Sequence, residues 1–204
     1  MPQTVTACIA DIRAITAHDA PDTSVTDAQI TTWIDQELRS LMREIGDQAH
    51  GLMLAVTAPQ VISTVATPTF AKPADFGSVH VMERLGTTYF PIPRVDDLNS
   101  TNATELSWGE NATTIEIFPA ASSVGTYRMR YLKQPASGYT TLDIPDGCER
   151  ILVNRVAALV AMRFSDDTRP FLEAAQRYQE QIFSQLRKRT GQHARSGLLR
   201  ERLY

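Results

Sequence analysis

The residues whose side chains could do chemistry are few and scattered. His18, His50, His80 and His193 are the four histidines, and Cys8 and Cys148 the two cysteines. Asp96-Asp97 and Asp166-Asp167 are the adjacent carboxylate pairs that could seed a cation site. A zinc site needs such ligands at short, fixed spacing, as in His-Glu-x-x-His or Cys-x-x-Cys, and neither pattern occurs. A hard cation needs several more oxygen ligands than one Asp-Asp pair supplies, and adjacent carboxylates in turns commonly cap helices. No Gly-rich phosphate loop, nucleophile elbow or EF-hand pattern is present either. The expectation is therefore no catalytic residue, no metal and no cofactor, and a protein that is not an enzyme. The alternative enzyme is a small hydrolase or nuclease using Asp96, Asp97 or His80, and no nucleophile–base arrangement supports it.

The chain of 204 residues is large enough to bury its own core, and its 43% hydrophobic and 21% charged content is that of a globular protein. The longest apolar run, Val156 to Met162, is far too short to cross a membrane. No charged segment followed by an apolar core marks a secretion signal, and two distant cysteines fit a reducing compartment. The net charge of −3 opposes a dedicated nucleic-acid binder, but its distribution is uneven. From Arg187 to Tyr204, six basic residues stand against one acidic residue, which leaves +5 there and −8 for the rest.

The periodicity predicts an α+β protein. It would be a mainly helical bundle of about four helices, with a small antiparallel β insertion in the middle and an extended C-terminal arm. Val5, Cys8, Ile9, Ile12 and Ile15 form a stripe for a first helix to about Ala17. Thr26 and Gln29 make a capping box for a second, whose stripe runs Ile30, Trp33, Ile34, Leu38, Leu41, Met42 and Ile45. Gly46 or Gly51 is its expected end, although apolar residues continue to Leu54. From about 60 to 133 the period shortens to that of strands. Val61 to Val65 is one candidate, and Ser78 to Met82 would turn into Thr88 to Phe90, with Pro91 at an edge. Thr114 to Phe118 and Thr126 to Lys133 are expected to pair. Asp96 to Ala112 reads as polar and irregular.

Helices return near Pro145, which suits a first turn, with Asp143 or Ile144 near the cap. Ile151, Leu152, Val156, Leu159 and Val160 make that helix apolar enough to be central. A turn from Ser165 to Thr168 leads through Pro170 into its antiparallel partner, which Gly191 would stop. The single domain then spans 1–190, with helices at about 4–55 and 144–190, and the arm spans 191–204. Trp33 is a core candidate. Trp108 either folds onto the sheet or meets another subunit. In the last strand Arg128 and Arg130 alternate with Tyr127, Met129 and Tyr131, a solvated face against a packed one.

The arm has nothing local to pack against. Leu198, Leu199 and Leu203 fall at helical spacing, with Tyr204 beside them and Arg195, Arg200 and Arg202 interleaved. A free end both cationic and apolar points to a contact with another protein.

Two stretches resemble the head-to-tail adaptor (connector) proteins of tailed bacteriophages. One is Ser24 to Ile45, SVTDAQITTWIDQELRSLMREI, a loop, cap and helix. The other is Tyr131 to Arg189, a strand entering two helices through LDIPDGCERILVNRVAALVAMRF and TRPFLEAAQRYQEQIFSQLRKR. With Pro73 to Val79 (PADFGSV) in the middle, the resemblance spans most of the chain. It implies a structural virion protein of the head–tail neck, assembled in the host cytoplasm as a ring, usually of twelve copies. Its partners would be the portal protein, neighbouring copies and a downstream tail or neck protein. DNA would pass through the lumen without specific binding. The portal-binding residues would be Arg195, Leu198, Leu199, Arg200, Arg202, Leu203 and Tyr204. A tail-completion or stopper protein is the alternative within the same assembly.

Overall fold

The computed structural model describes residues 3–18, 24–48, 50–64, 66, 68–95 and 105–201, of which 48, 50, 51 and 189–201 are described in backbone only. The fold is α+β, with helices at both ends of the sequence and antiparallel strands between. The chain divides into two compact units, Met1–Met53 with Gln134–Tyr204, and Leu54–Lys133.

In the helical unit, α1 (Val5–Thr16) starts where the Thr4 hydroxyl accepts a hydrogen bond from the Ala7 amide at 3.1 Å. Ahead of it, the Val5 amide donates to Thr140 O (3.0 Å) and the Leu142 amide to Gln3 O (2.9 Å), tying the N-terminal segment to the approach to α4. The capping box of α2 (Asp27–Gln48) is formed as its sequence requires. The Gln29 amide donates to Thr26 Oγ1 (3.3 Å) and the Thr26 amide to Gln29 Oε1 (2.9 Å). Ile30, Ile34, Leu38, Leu41, Met42 and Ile45 are buried along it, whereas Trp33 is only half-buried. The helix passes through Gly46, and a single turn, α3 (His50–Met53), follows.

Helix α4 (Cys148–Arg163) packs against α1, α2 and α5 (Arg169–Glu201). It buries Ile151, Leu152, Val153, Val156, Ala157, Ala158, Val160 and Ala161, which lie around its whole circumference. Its start lies later than Pro145 predicts. The cap is Gly147 at φ +92°, a conformation costly for any residue with a Cβ, and Pro145 sits in the preceding turn. The Ser165 turn (φ +62°) closes α4 with the Asp166 amide on Ala161 O at 2.9 Å. Helix α5 continues to Glu201, so Gly191 does not stop it. A glycine costs a helix interior only about 1 kcal/mol against alanine, and no proline follows.

The β unit begins earlier than expected, where β1 (Leu54–Val56) replaces the apolar helix extension. It continues through β2 (Gln60–Ile62), β3 (Thr69–Ala71), β4 (Phe76–Leu85), β5 (Tyr89–Ile92), β6 (Ser107–Glu110), β7 (Thr114–Phe118) and β8 (Gly125–Lys133). The expected pairing of β7 with β8 is not made. β8 has β4 along one edge and β1 and β2 along the other, so both its hydrogen-bonding edges are taken. β7 instead lies between β3 and β6, and β6 occupies part of the stretch expected to be irregular. β4 and β5 form the predicted hairpin, with Pro91 on an edge strand. The simple alternation of Ser78 to Met82 is broken by a register shift between Val79 and Val81. A second shift falls at Gly77, where a Cβ would sit 2.7 Å from Leu132 O.

One core fills the space between the two sheets, built on Phe70, Met82, Ile115, Ile117, Tyr127 and Met129. Two seams link the sheets. The Gln60 side chain takes the Ala71 amide at 3.2 Å, and the Trp108 amide donates to Pro93 O (3.0 Å) while Val95 donates back to Trp108 O (2.7 Å).

Candidate partner-binding site

Among the described residues, Cys8, Cys148, His18 and Asp167, singled out for chemistry, take structural roles. Cys8 and Cys148 are free and fully buried, and burial, with Asp11 and Glu149 adding to it, pushes each thiol up to about 12. His18 stacks on Phe164 with ring centroids 3.6 Å apart, and its Nε2 lies 2.8 Å from Asp166 Oδ2. Asp167 accepts the Arg169 amide at 3.0 Å, a cap at the start of α5. His80 lies at the register shift in β4. Asp96 and Asp97 lie outside the described residues, as do the side chains of His50 and His193. Among the described residues no three metal-ligating side chains cluster.

The two readings of Trp108 resolve in favour of the sheet. Its side chain is 4% exposed, its Nε1 donates to Ile92 O at 3.1 Å, and Arg94 lies over the ring. Alternation in β8 holds as read. Tyr127, Met129 and Tyr131 are buried, and on the opposite face Arg128 and Arg130 both engage Glu83, the latter at 3.1 Å. Glu83 is 7% exposed, so desolvation raises its pKa, but the hydrogen bonds from the two arginines outweigh this and hold the carboxyl below its usual range.

Of the arm residues, Arg195, Leu198, Leu199 and Arg200 lie on the helical backbone of α5, and Arg202, Leu203 and Tyr204 lie outside the described residues. At the other end of α5 an open groove of about 620 Å³ runs between α1, α4 and the first turns of α5. Its apolar lining is Ala14, Ile15, Val153, Phe171, Ala174 and Tyr178, and the charged Asp11, Glu149 and Arg150 line it as well. Arg150 lies over the Tyr178 ring at 5.7 Å.

Compared with known families, residues 3–202 match the model described as SU10 adaptor protein. The chain belongs to the SU10 adaptor protein family. It is a structural phage head–tail adaptor and a component of the virion. A search of curated proteins finds no match.

In this SU10 family adaptor, no described helix is long and apolar enough to cross a membrane. The groove is the surface that periodicity missed, because Ile15 falls on a stripe that reads as core. Ile15 is in fact 44% exposed, since α1 is buried only through Cys8 and Ile12. No spacing rule distinguishes a stripe residue that reaches a neighbour from one that lines a gap.

Proposed function

We propose that this adaptor assembles as a ring of about twelve copies beneath the portal vertex and joins the DNA-filled head to the tail. The basic C-terminal segment carries the portal contact, through Arg195, Leu198, Leu199, Arg200, Arg202, Leu203 and Tyr204. A downstream tail or neck protein binds the opposite side of the ring, and DNA passes through the lumen without specific binding. Assembly takes place in the host cytoplasm, and the protein has no enzymatic activity.

The observation that carries this reading is the division of charge along one long helix. α5 is 33 residues, about 50 Å at 1.5 Å per residue, and from Arg187 to Glu201 it holds five basic residues and one acidic on a chain of net charge −3. Leucines interleaved with arginines supply apolar burial of about 1.5–3 kcal/mol each, while the cations steer association toward an acidic surface. The acidic remainder lacks the clustered cations that release counterions from duplex DNA, which supports passage without retention.

The test is decoration of portal-bearing capsids by a variant lacking Ser196 to Tyr204. The variant should fold as the full chain does and fail to attach. Attachment at wild-type concentration would show that the arm is not the anchor.

A further inference from the structure

We infer that the Asp146–Gly147 peptide is a site of spontaneous backbone isomerisation, and that Glu149 guards it by holding the Gly147 amide.

The reacting pair is set by sequence. Of the ten glycines, only Gly147 follows an aspartate or asparagine. In such a pair the glycine nitrogen attacks the aspartate side chain, because no Cβ hinders its approach. A bond forms between Gly147 N and Asp146 Cγ, the amide proton is lost, and one carboxyl oxygen leaves as water. Water then opens the five-membered imide at either carbonyl. Opening at Cγ restores aspartate. Opening at the main-chain carbonyl leaves isoaspartate, in which the backbone runs through Cβ and Cγ and is one atom longer. Nothing is oxidised or reduced, and water is the only co-reactant.

The fold requires this glycine. Gly147 caps α4 at φ +92°, where a residue with a Cβ is strained, so α4 starts on a chemically vulnerable bond. Asp146 beside it is exposed. An extra backbone atom there would displace Cys148, which is fully buried. The adaptor is a virion component, and a subunit built into a particle is not replaced, so slow damage accumulates.

The guard is geometric. The N–Cγ bond of the imide takes the place of the N–H bond in the peptide plane. The Gly147 amide donates to Glu149 Oε2 at 2.7 Å, so the nitrogen cannot face Asp146 Cγ while that contact holds. The turn is fixed on either side by the Cys148 amide on Pro145 O (3.0 Å) and the Arg150 amide on Gly147 O (3.2 Å). Isomerisation therefore waits for local opening at the start of α4.

Peptide mapping of isoaspartate at Asp146, after prolonged incubation of the full chain at neutral pH, tests this. Wild type should isomerise at least about tenfold more slowly in buffer than in urea. Loss of a hydrogen bond to a charged group should make Glu149→Ala about tenfold faster than wild type in buffer, whereas Glu149→Gln keeps an acceptor oxygen and should stay within about threefold. Thr4→Ala removes the cap of α1 and weakens the same unit without touching the turn, and it should isomerise at the wild-type rate. No isoaspartate at Asp146 in urea removes the site, and equal rates in buffer and urea remove its protection by the fold. The guard is overturned by a wild-type rate in Glu149→Ala, by Glu149→Gln reacting as fast as Glu149→Ala, or by Thr4→Ala accelerating the reaction as much.

Discussion

Arg155 and Glu44 meet through two parallel hydrogen bonds of 2.8 Å, Nη1 to Oε1 and Nη2 to Oε2. The pair joins the central helix α4 to α2, and Gln179 of α5 closes it by accepting from Arg155 Nη2 (3.0 Å) and donating to Glu44 Oε2 (3.1 Å). Glu37 lies 3.8 Å from the same guanidinium. Three helices thus share one polar junction on Arg155 of α4, which bonds to both α2 and α5. Hydrogen bonding to Glu44 raises the Arg155 pKa against the opposing effect of burial, so the guanidinium stays charged.

Truncating Arg155 should therefore cost more than a surface ion pair. The side chain is 17% exposed and Glu44 32%, so the acid left behind is partly desolvated. Hydrogen bonds to charged groups contribute about 1.5–3 kcal/mol each, with water recovering part of that. Arg155→Ala is expected to lower the unfolding free energy by about 2 kcal/mol in urea denaturation. A change below about 0.5 kcal/mol would assign the junction to specificity alone.

Acid should weaken the β unit through Glu83. Its folded pKa is depressed below the ordinary value of 4.5, so its contribution is fully present above that value and is lost as pH falls through the folded pKa. Glu83→Gln loses the ion pairs with Arg128 and Arg130, and its stability should be lower at neutral pH and flatter below pH 4.5. Parallel acid limbs in the two proteins, measured by thermal melts of both across pH 3–7, would remove Glu83 from the account.

The cysteines should be silent in the native state. Both thiols are fully buried and raised to about 12, so at pH 8 almost none is thiolate. Ellman's reagent should find them only in denaturant. Rapid stoichiometric reaction in buffer would mean that α1 or the start of α4 opens readily.

Helix α5 carries Gly191 and Gly197 inside its span. Replacing each by alanine removes the glycine cost of about 1 kcal/mol per position, so Gly191→Ala/Gly197→Ala should raise far-ultraviolet helix ellipticity. A fall would mean that the backbone there is not helical.

Local chemistry was legible along the chain. The Thr26–Gln29 box, the buried stripe of α2, the all-round apolar α4, the β4–β5 hairpin and the alternation of β8 depend on neighbours within a few residues, and periodicity reports such neighbours directly. The paired arginines of β8 were legible as an outer face, but their shared acid, Glu83, was not, because it arrives from 45 positions away. Beyond the β4–β5 hairpin, which strand partners which lay equally out of reach. β7 and β8 are adjacent in sequence and each reads as a good strand, yet β8 gives its two edges to β4 and to β1 with β2, a competition settled by packing around one core. Trp108 was undecidable until Ile92 O was placed 3.1 Å from its indole nitrogen. Gly191 misled because a local stop signal worth about 1 kcal/mol is small beside the propagation of a long helix. The groove belongs wholly to tertiary structure: Ile15, Val153 and Phe171 come from three helices, and only their packing decides which apolar residues fill the core and which line a gap.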